Sequence, residues 1–340
     1  MAFYSVHEPT DLNDGGTPPH LNSTLSGRYG VQTLLGVGKT SRVYQARMLP
    51  SGEPVAVKVL REHCNTSENL ERLKWEGDVL SSLTDSEYFL RPLDYVGAPK
   101  DAYLVTEKAG GQTLAKVIKD FGRLSLLDSL DVCIQLAEAL NCLHNLGYVH
   151  GSLTSEDVMV ERCNNRYAVK IVDLDSIVSM DPAKAQPPAL LGEAAYEYMS
   201  PEQALNGRLD KRTDVYIFGL LFYEILTGRR PFFGSSPIEL LNARLSGQPE
   251  TISSLVSGIE YGDVLDQIVD LTLAADKNQR FQNLNDIHTM LSKIWSLMTG
   301  RAYVSPRKML DAGAYDQIEL NNPGNAGGWM QKIASLFRAK

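Results

Sequence analysis

Gly36-Val37-Gly38-Lys39-Thr40-Ser41-Arg42-Val43-Tyr44 places two glycines one residue apart between two strand-like stretches. Glycines at that spacing let the backbone approach a phosphate and present its N–H groups to it. A plain hairpin uses glycines in the same way, so the pair alone decides nothing. Lys58 ends the apolar run Val55-Ala56-Val57-Lys58, 22 residues after Gly36, and Glu76 lies a further 18 residues on. A strand lysine steadied by a helix glutamate holds a compact cation against the α- and β-phosphates of a nucleotide. A surface Lys–Glu pair would not come with the strand–strand–strand–helix order around these two. The chemistry on offer is the binding of a phosphorylated ligand.

Those residues need elements to hold them. Stretches 29–38, 41–49, 53–60 and 101–107 show β-branched or alternating residues, parted by Gly, Pro and Ser turns, and are expected to be strands. A helix is expected at 67–83, where Leu70, Leu73, Val79, Leu80 and Leu83 repeat with helical spacing. After Glu107 the character changes. Residues 125–144 read as an amphipathic helix with Leu126, Leu130, Ile134, Ala137 and Leu140 on one face; further helices are expected at 213–227, 237–246, 262–274 and 284–298. The layout is α+β, with a strand-rich lobe at 27–107 and a helical lobe at 112–298. A polar leader at 1–26, a linker at 299–328 and a short helix at 329–340 complete it.

Composition narrows the functional classes. The 340 residues are 43% hydrophobic and 22% charged, which suits a globular chain. A net charge of −8 argues against general nucleic-acid binding, which needs a basic face to displace counterions. The charge is uneven: 299–340 holds six Lys/Arg against three Asp/Glu, so the tail is positive and the rest more acidic. Cys64, Cys133, Cys142 and Cys163 form no Cys-x-x-Cys pair and have no histidine at metal spacing. A reducing compartment is expected rather than a zinc site or a disulfide frame. The N-terminus lacks the basic start and apolar core of a signal peptide. The longest apolar stretch, 215–226, has 12 residues, against ~20 needed to span a bilayer. A cytoplasmic location is expected.

Gly36, Gly38 and Val43, the Val55-Ala56-Val57-Lys58 strand and Glu76 resemble the N-lobe of eukaryotic-type protein kinases. Tyr148-Val149-His150-Gly151-Ser152-Leu153 is similar to the catalytic loop, and Val172-Asp173-Leu174-Asp175 to the metal-binding Asp-Phe-Gly segment. Tyr198-Met199-Ser200-Pro201-Glu202-Gln203 resembles the end of the activation segment, and a long helix opens at Asp210 to Tyr216. The resemblance runs over about 29–297 and is most like bacterial Ser/Thr kinases. It implies a bilobal kinase fold, 27–298, that binds ATP with Mg or Mn. It implies an adenine sandwich of Val43, Ala56 and Met159, a gatekeeper at Thr106, and base-edge contacts from the backbone of Glu107 and Ala109. Asp173 and Asp157 become the metal ligands, Asp157 standing where the family has Asn. His150, Glu202, Asp214 and Arg280 are expected to be architectural, with Arg280 pairing Glu202.

The departures bear on activity. The resemblance puts Ser152 at the catalytic Asp, which accepts the substrate hydroxyl proton in the family; a serine hydroxyl is no base near neutral pH. Thr154 replaces the loop Lys, and Ala195 the activation-segment Thr. These three act together around one phosphoryl group, and all three are gone. Gly151 replaces the Arg that grips a phosphorylated activation loop, while 173–198 contains no Thr and only Ser176 and Ser179. Asp175 replaces the glycine after Asp173-Leu174.

The expected role is that of a pseudokinase, a regulator or scaffold for a partner kinase or signalling complex. Two alternatives stay open: a slow Ser/Thr kinase in which Asp157 or Asp175 takes over as base, and a nucleotide-free scaffold. At 329–340, Trp329, Met330, Ile333, Ala334, Leu336 and Phe337 fall on one helical arc with Lys332, Arg338 and Lys340 and no acid. Such a helix docks on its own domain or a protein partner, or lies peripherally on an anionic membrane surface.

Overall fold

Alternating residues build the N-lobe as expected, and their register decides what faces the site. The computed structural model describes residues 20–98, 102–184 and 196–311. Strands β1 (Thr24–Leu25), β2 (Tyr29–Val37), β3 (Ser41–Met48), β4 (Pro54–Leu60), β5 (Pro92–Val96) and β6 (Tyr103–Glu107) form one antiparallel sheet, in the order β1-β2-β3-β4-β6-β5. On β4, Lys58 pairs with Val43 and Leu104, and Ala56 pairs with Thr106. Side chains alternate along a strand and directly paired residues share a face. Val43, Ala56, Lys58, Leu104 and Thr106 therefore share one face. Tyr44, Ala46, Val55, Val57, Val59, Tyr103 and Val105 pack on the other as a small core of their own.

Helix α1 (Ser67–Ser82) starts where Thr66 accepts the Asn69 N–H, an N-cap that satisfies one of the unpaired donors of the first turn. Its buried face carries Leu73, Glu76, Gly77, Val79 and Leu80. A Cβ at Gly77 would stand 3.1 Å from Leu104, so the missing side chain lets α1 lie close to β6.

The C-lobe contains β7 (Gln112–Thr113), α2 (Leu114–Phe121), α3 (Leu126–Asn145), β8 (Tyr148–Val149), β9 (Val158–Cys163), β10 (Arg166–Ile171) and β11 (Val178–Ser179). There follow α4 (Pro201–Ala204), α5 (Lys211–Thr227), α6 (Pro237–Ser246), α7 (Ile252–Leu255), α8 (Gly262–Thr272), α9 (Leu284–Thr299) and α10 (Pro306–Asp311). Every residue of α5 from Thr213 to Leu226 is buried. A helix apolar on all sides belongs at the centre of a core, and α5 packs on α3 and α8 there. Gly219 permits this: a Cβ would sit 2.4 Å from the Thr272 hydroxyl. The main core runs on from the C-lobe to Leu73, Val79 and Leu80, so α1 packs on both lobes.

Two of the expected boundaries differ. Thr24–Leu25 pairs with β2 inside the stretch read as leader, and Leu25 is buried against the sheet. Residues 303–308 pack on the domain instead of starting a linker, because Tyr303 bonds to the buried Asp131 and the buried Ser305 to Glu87. The expected helix at 329–340 lies outside the described residues.

Candidate functional site

A cleft with a cavity volume of about 80 Å³ lies between the lobes. Gly36, Gly38, Val43, Ala56, Lys58, Glu76, Thr106, Asp157 and Asp173 all line it. The sheet face supplies Val43, Ala56, Lys58 and Thr106; α1 supplies Glu76; the segment after β10 supplies Asp173. Lys58 Nζ donates to Glu76 Oε2 at 2.8 Å and to Asp173 Oδ1 at 2.7 Å, so one ammonium links β4, α1 and the C-lobe. Burial opposes a charge on Lys58, but Asp173 and Glu76 outweigh it and hold the ammonium well above the usual lysine range. Burial pushes the Glu76 carboxyl up to about 7, with Lys58 pulling the other way. At Asp173 the balance reverses: burial would raise it, yet the charge and hydrogen bond of Lys58 keep it below the usual range.

The acidic wall is wider than this pair. Burial, then the charge of Asp173, pushes Asp157 well up and Asp175 up. Asp157 Oδ2 accepts from Thr154 N at 2.9 Å and Thr154 Oγ1 at 2.8 Å. Thr154 is thus turned back onto its own loop. Arg72 on α1 donates to the Asp175 carbonyl at 2.8 Å, a further tie between helix and C-lobe.

The loop that carries Ser152 is held from below. Asp214, fully buried on α5, accepts the N–H of His150 at 2.9 Å and of Gly151 at 2.8 Å, and contacts His144 Nε2 at 2.8 Å. Gly151 has φ +75°, a left-handed turn that costs a glycine little. His150 is buried, and burial holds its pKa down against the pull of Asp214, Asp173 and Asp175. Arg280 and Glu202 form a two-pronged pair, both prongs 2.8 Å. Arg280 is wholly buried, also donates to the carbonyls of Ala274, Arg212 and Ala275, and lies 4.7 Å from the Tyr216 ring centre. Buried guanidinium groups persist only when so satisfied.

Glu107, Ala109 and Met159 adjoin residues that line the cleft. Met159 is buried in one cluster with Leu90 and Ala109, and Leu90 and Val172 line the cleft. Ala109 is buried in the same cluster and, like Glu107 and Met159, is not among the cleft-lining residues. The Glu107 N–H already donates to Arg91 O at 2.9 Å, and its carboxylate accepts Lys170 Nζ at 2.7 Å. Leu80, Leu90, Leu104, Glu156 and Val172 line the cleft and were missed. The strand register around Lys58 could have found Leu104; nothing local marks the others. Ala195 lies outside the described residues.

The protein kinase domain model matches residues 29–295. The serine/threonine-protein kinase PknB of Mycobacterium leprae is 30% identical over 303 residues, 87% of this chain and 46% of that protein. PknB of Mycolicibacterium smegmatis is 29% identical over 93% of this chain and 50% of its own length. The serine/threonine-protein kinase pkn2 of Myxococcus xanthus is 29% identical over 81% of this chain and 33% of its own length. The chain thus spans half or less of these bacterial relatives. Among the described residues no helix is long and apolar enough to cross a membrane. With its six-stranded N-lobe, helical C-lobe and matched motifs, the chain belongs to the protein kinase domain family.

Proposed function

We propose that this chain is a pseudokinase that binds ATP with Mg²⁺ or Mn²⁺ in the cleft, transfers the γ-phosphate poorly or not at all, and regulates or scaffolds a partner protein. The observation that carries the reading is the pairing of a kept Lys58–Glu76–Asp173 bridge with Thr154 folded back on Asp157 beside Ser152. The first is what phosphates need. The second leaves the loop with neither a base at 152 nor a cation at 154.

The cation fits the donors. Asp173 and Asp157 offer hard oxygens, and the raised Asp157 and Asp175 carboxyls register an excess of negative charge that a divalent ion relieves. No group of three or more metal-type side chains is found among the described residues, so the ion would arrive with the phosphates, as Mg²⁺ usually does. When bound it neutralises phosphate charge. Lys58 then holds the α- and β-phosphates, and the sheet face of Val43, Ala56 and Thr106 shields the base from water.

A slow kinase is the second reading, favoured by the raised Asp157 carboxyl, which is a stronger base than an ordinary aspartate. Thermal shift with ATP and each cation tests the first half of the proposal: a Lys58-dependent shift supports it, and none under any cation makes the protein a nucleotide-free scaffold. Co-sedimentation with anionic vesicles tests the 329–340 segment; no pelleting leaves protein docking as its role.

A further inference from the structure

The stretch read as linker carries more buried polar bonds than any linker needs. Tyr303 Oη donates to Asp131 Oδ1 at 2.9 Å, and its ring meets Trp295 edge-on at 5.2 Å. Arg166, on β10, donates to Val304 O at 2.7 Å and stacks between Trp295 and Tyr303, 4.8 and 4.9 Å from their ring centres. Asp131 is buried and also binds Arg166 and the Tyr167 N–H. This network anchors 303–304 to the C-lobe.

The next residues reach the other side of the junction. Ser305, only 3% exposed, donates its hydroxyl to Glu87 at 2.6 Å and caps α10 by accepting from Lys308 N. Lys308 lies 3.3 Å from Glu138 and 3.7 Å from Glu87. Glu87 belongs to the connection between α1 and β5, which starts at Leu83, the C-cap of α1. Its neighbour Tyr88 binds Glu138 through its hydroxyl at 2.7 Å and receives Ile171 N on its carbonyl at 2.8 Å. The end of the helix that carries Glu76 is therefore fixed partly by residues C-terminal to the family domain.

We propose that residues 303–308 are a strap that pins the α1–β5 connection to the C-lobe and so sets the position of α1 and Glu76. Load or release on the chain beyond α10 is then felt in the cleft. The exposed Lys308 pairs contribute little, as surface ion pairs do. The Ser305–Glu87 bond matters more, because Ser305 is buried and a carboxylate there would face the like charge of Glu87 with only the exposed Lys308 to offset it. The device needs two arrangements, strap seated and strap released, and an end of α1 that responds to both. It does not depend on nucleotide binding, so its test stands apart from that of the proposed function.

Hydrogen exchange on the full chain tests it. Ser305→Asp should speed exchange at 83–91 and the second half of α1 by about tenfold or more while α5 keeps its protection. Glu87→Lys in the same chain should restore protection by pairing the new carboxylate. Lys308→Glu, which sets a third carboxylate beside Glu87 and Glu138, should give a smaller change in the same direction. It replaces Ser305→Asp if α5 also loses protection. Faster exchange confined to 301–311, or none at 83–91 with either variant, would overturn the strap.

Discussion

The two walls of the cleft have kept different things. From the N-lobe wall, Lys58 bridges Glu76 to Asp173 of the C-lobe, with contacts of 2.7 to 3.0 Å. The C-lobe loop keeps its scaffold, Asp214 under His150 and Gly151, while Ser152 stands half-buried and a buried Thr154 bonds to Asp157. On the proposed reading, retained structure and retained chemistry have come apart. A loop can be held in place by its backbone N–H groups whatever side chains it presents, so scaffold residues alone say little about activity.

The comparison breaks first where the scaffold breaks. Arg280→Ala should cost about 3–5 kcal/mol, because Glu202 and three carbonyls lose a buried partner. Denaturant melts check it, and a loss below about 1 kcal/mol would remove Arg280 from the scaffold. Lys58→Ala comes next: it should weaken ATP binding about tenfold or more, by loss of charge-assisted bonds, with the fold kept. Calorimetry that finds unchanged affinity would reduce the Lys58 bridge to a structural ion pair.

Acid should loosen the scaffold before it touches the sheet. Burial would raise Glu202 and Asp214, but Arg280 and His144 respectively outweigh it and hold both below the usual carboxylate range. Their stabilisation is present above the unfolded-state values and is lost as pH falls through the folded ones. Glu202→Gln should flatten that part of the stability–pH curve; an unchanged curve would put the acid sensitivity elsewhere. The smallest effect is expected from Asp157→Asn, which removes one negative charge near the phosphates. ATP binding should then depend less on the divalent ion, read as a narrower gap between affinities with and without Mg²⁺.

Much of this was legible because it is local or follows a period. The β4 lysine and α1 glutamate were visible from spacing within strand and helix patterns, and helix ends fell within two residues of 67–83, 237–246 and 284–298. The two-residue strand at Thr24–Leu25 was not legible, since its pairing with β2 follows from packing rather than from pattern. Nor was the strap: Tyr303 and Ser305 sit among turn-forming residues, and their partners Asp131 and Glu87 are more than 170 positions away. Met159 illustrates a third limit. Its apolar character was legible, but only the fold shows that it packs with Leu90, Ala109 and Val172, of which Leu90 and Val172 line the cleft.

The central claim is that the cleft binds nucleotide and the loop no longer moves its phosphate. Phosphate transferred from ATP to the chain itself and to a peptide mixture, counted by mass spectrometry for the native sequence and for Lys58→Ala, tests it most directly. The account predicts the same background for both proteins under Mg²⁺ and under Mn²⁺. Abundant phosphopeptides that vanish with Lys58→Ala would contradict it and establish a working kinase with a relocated base.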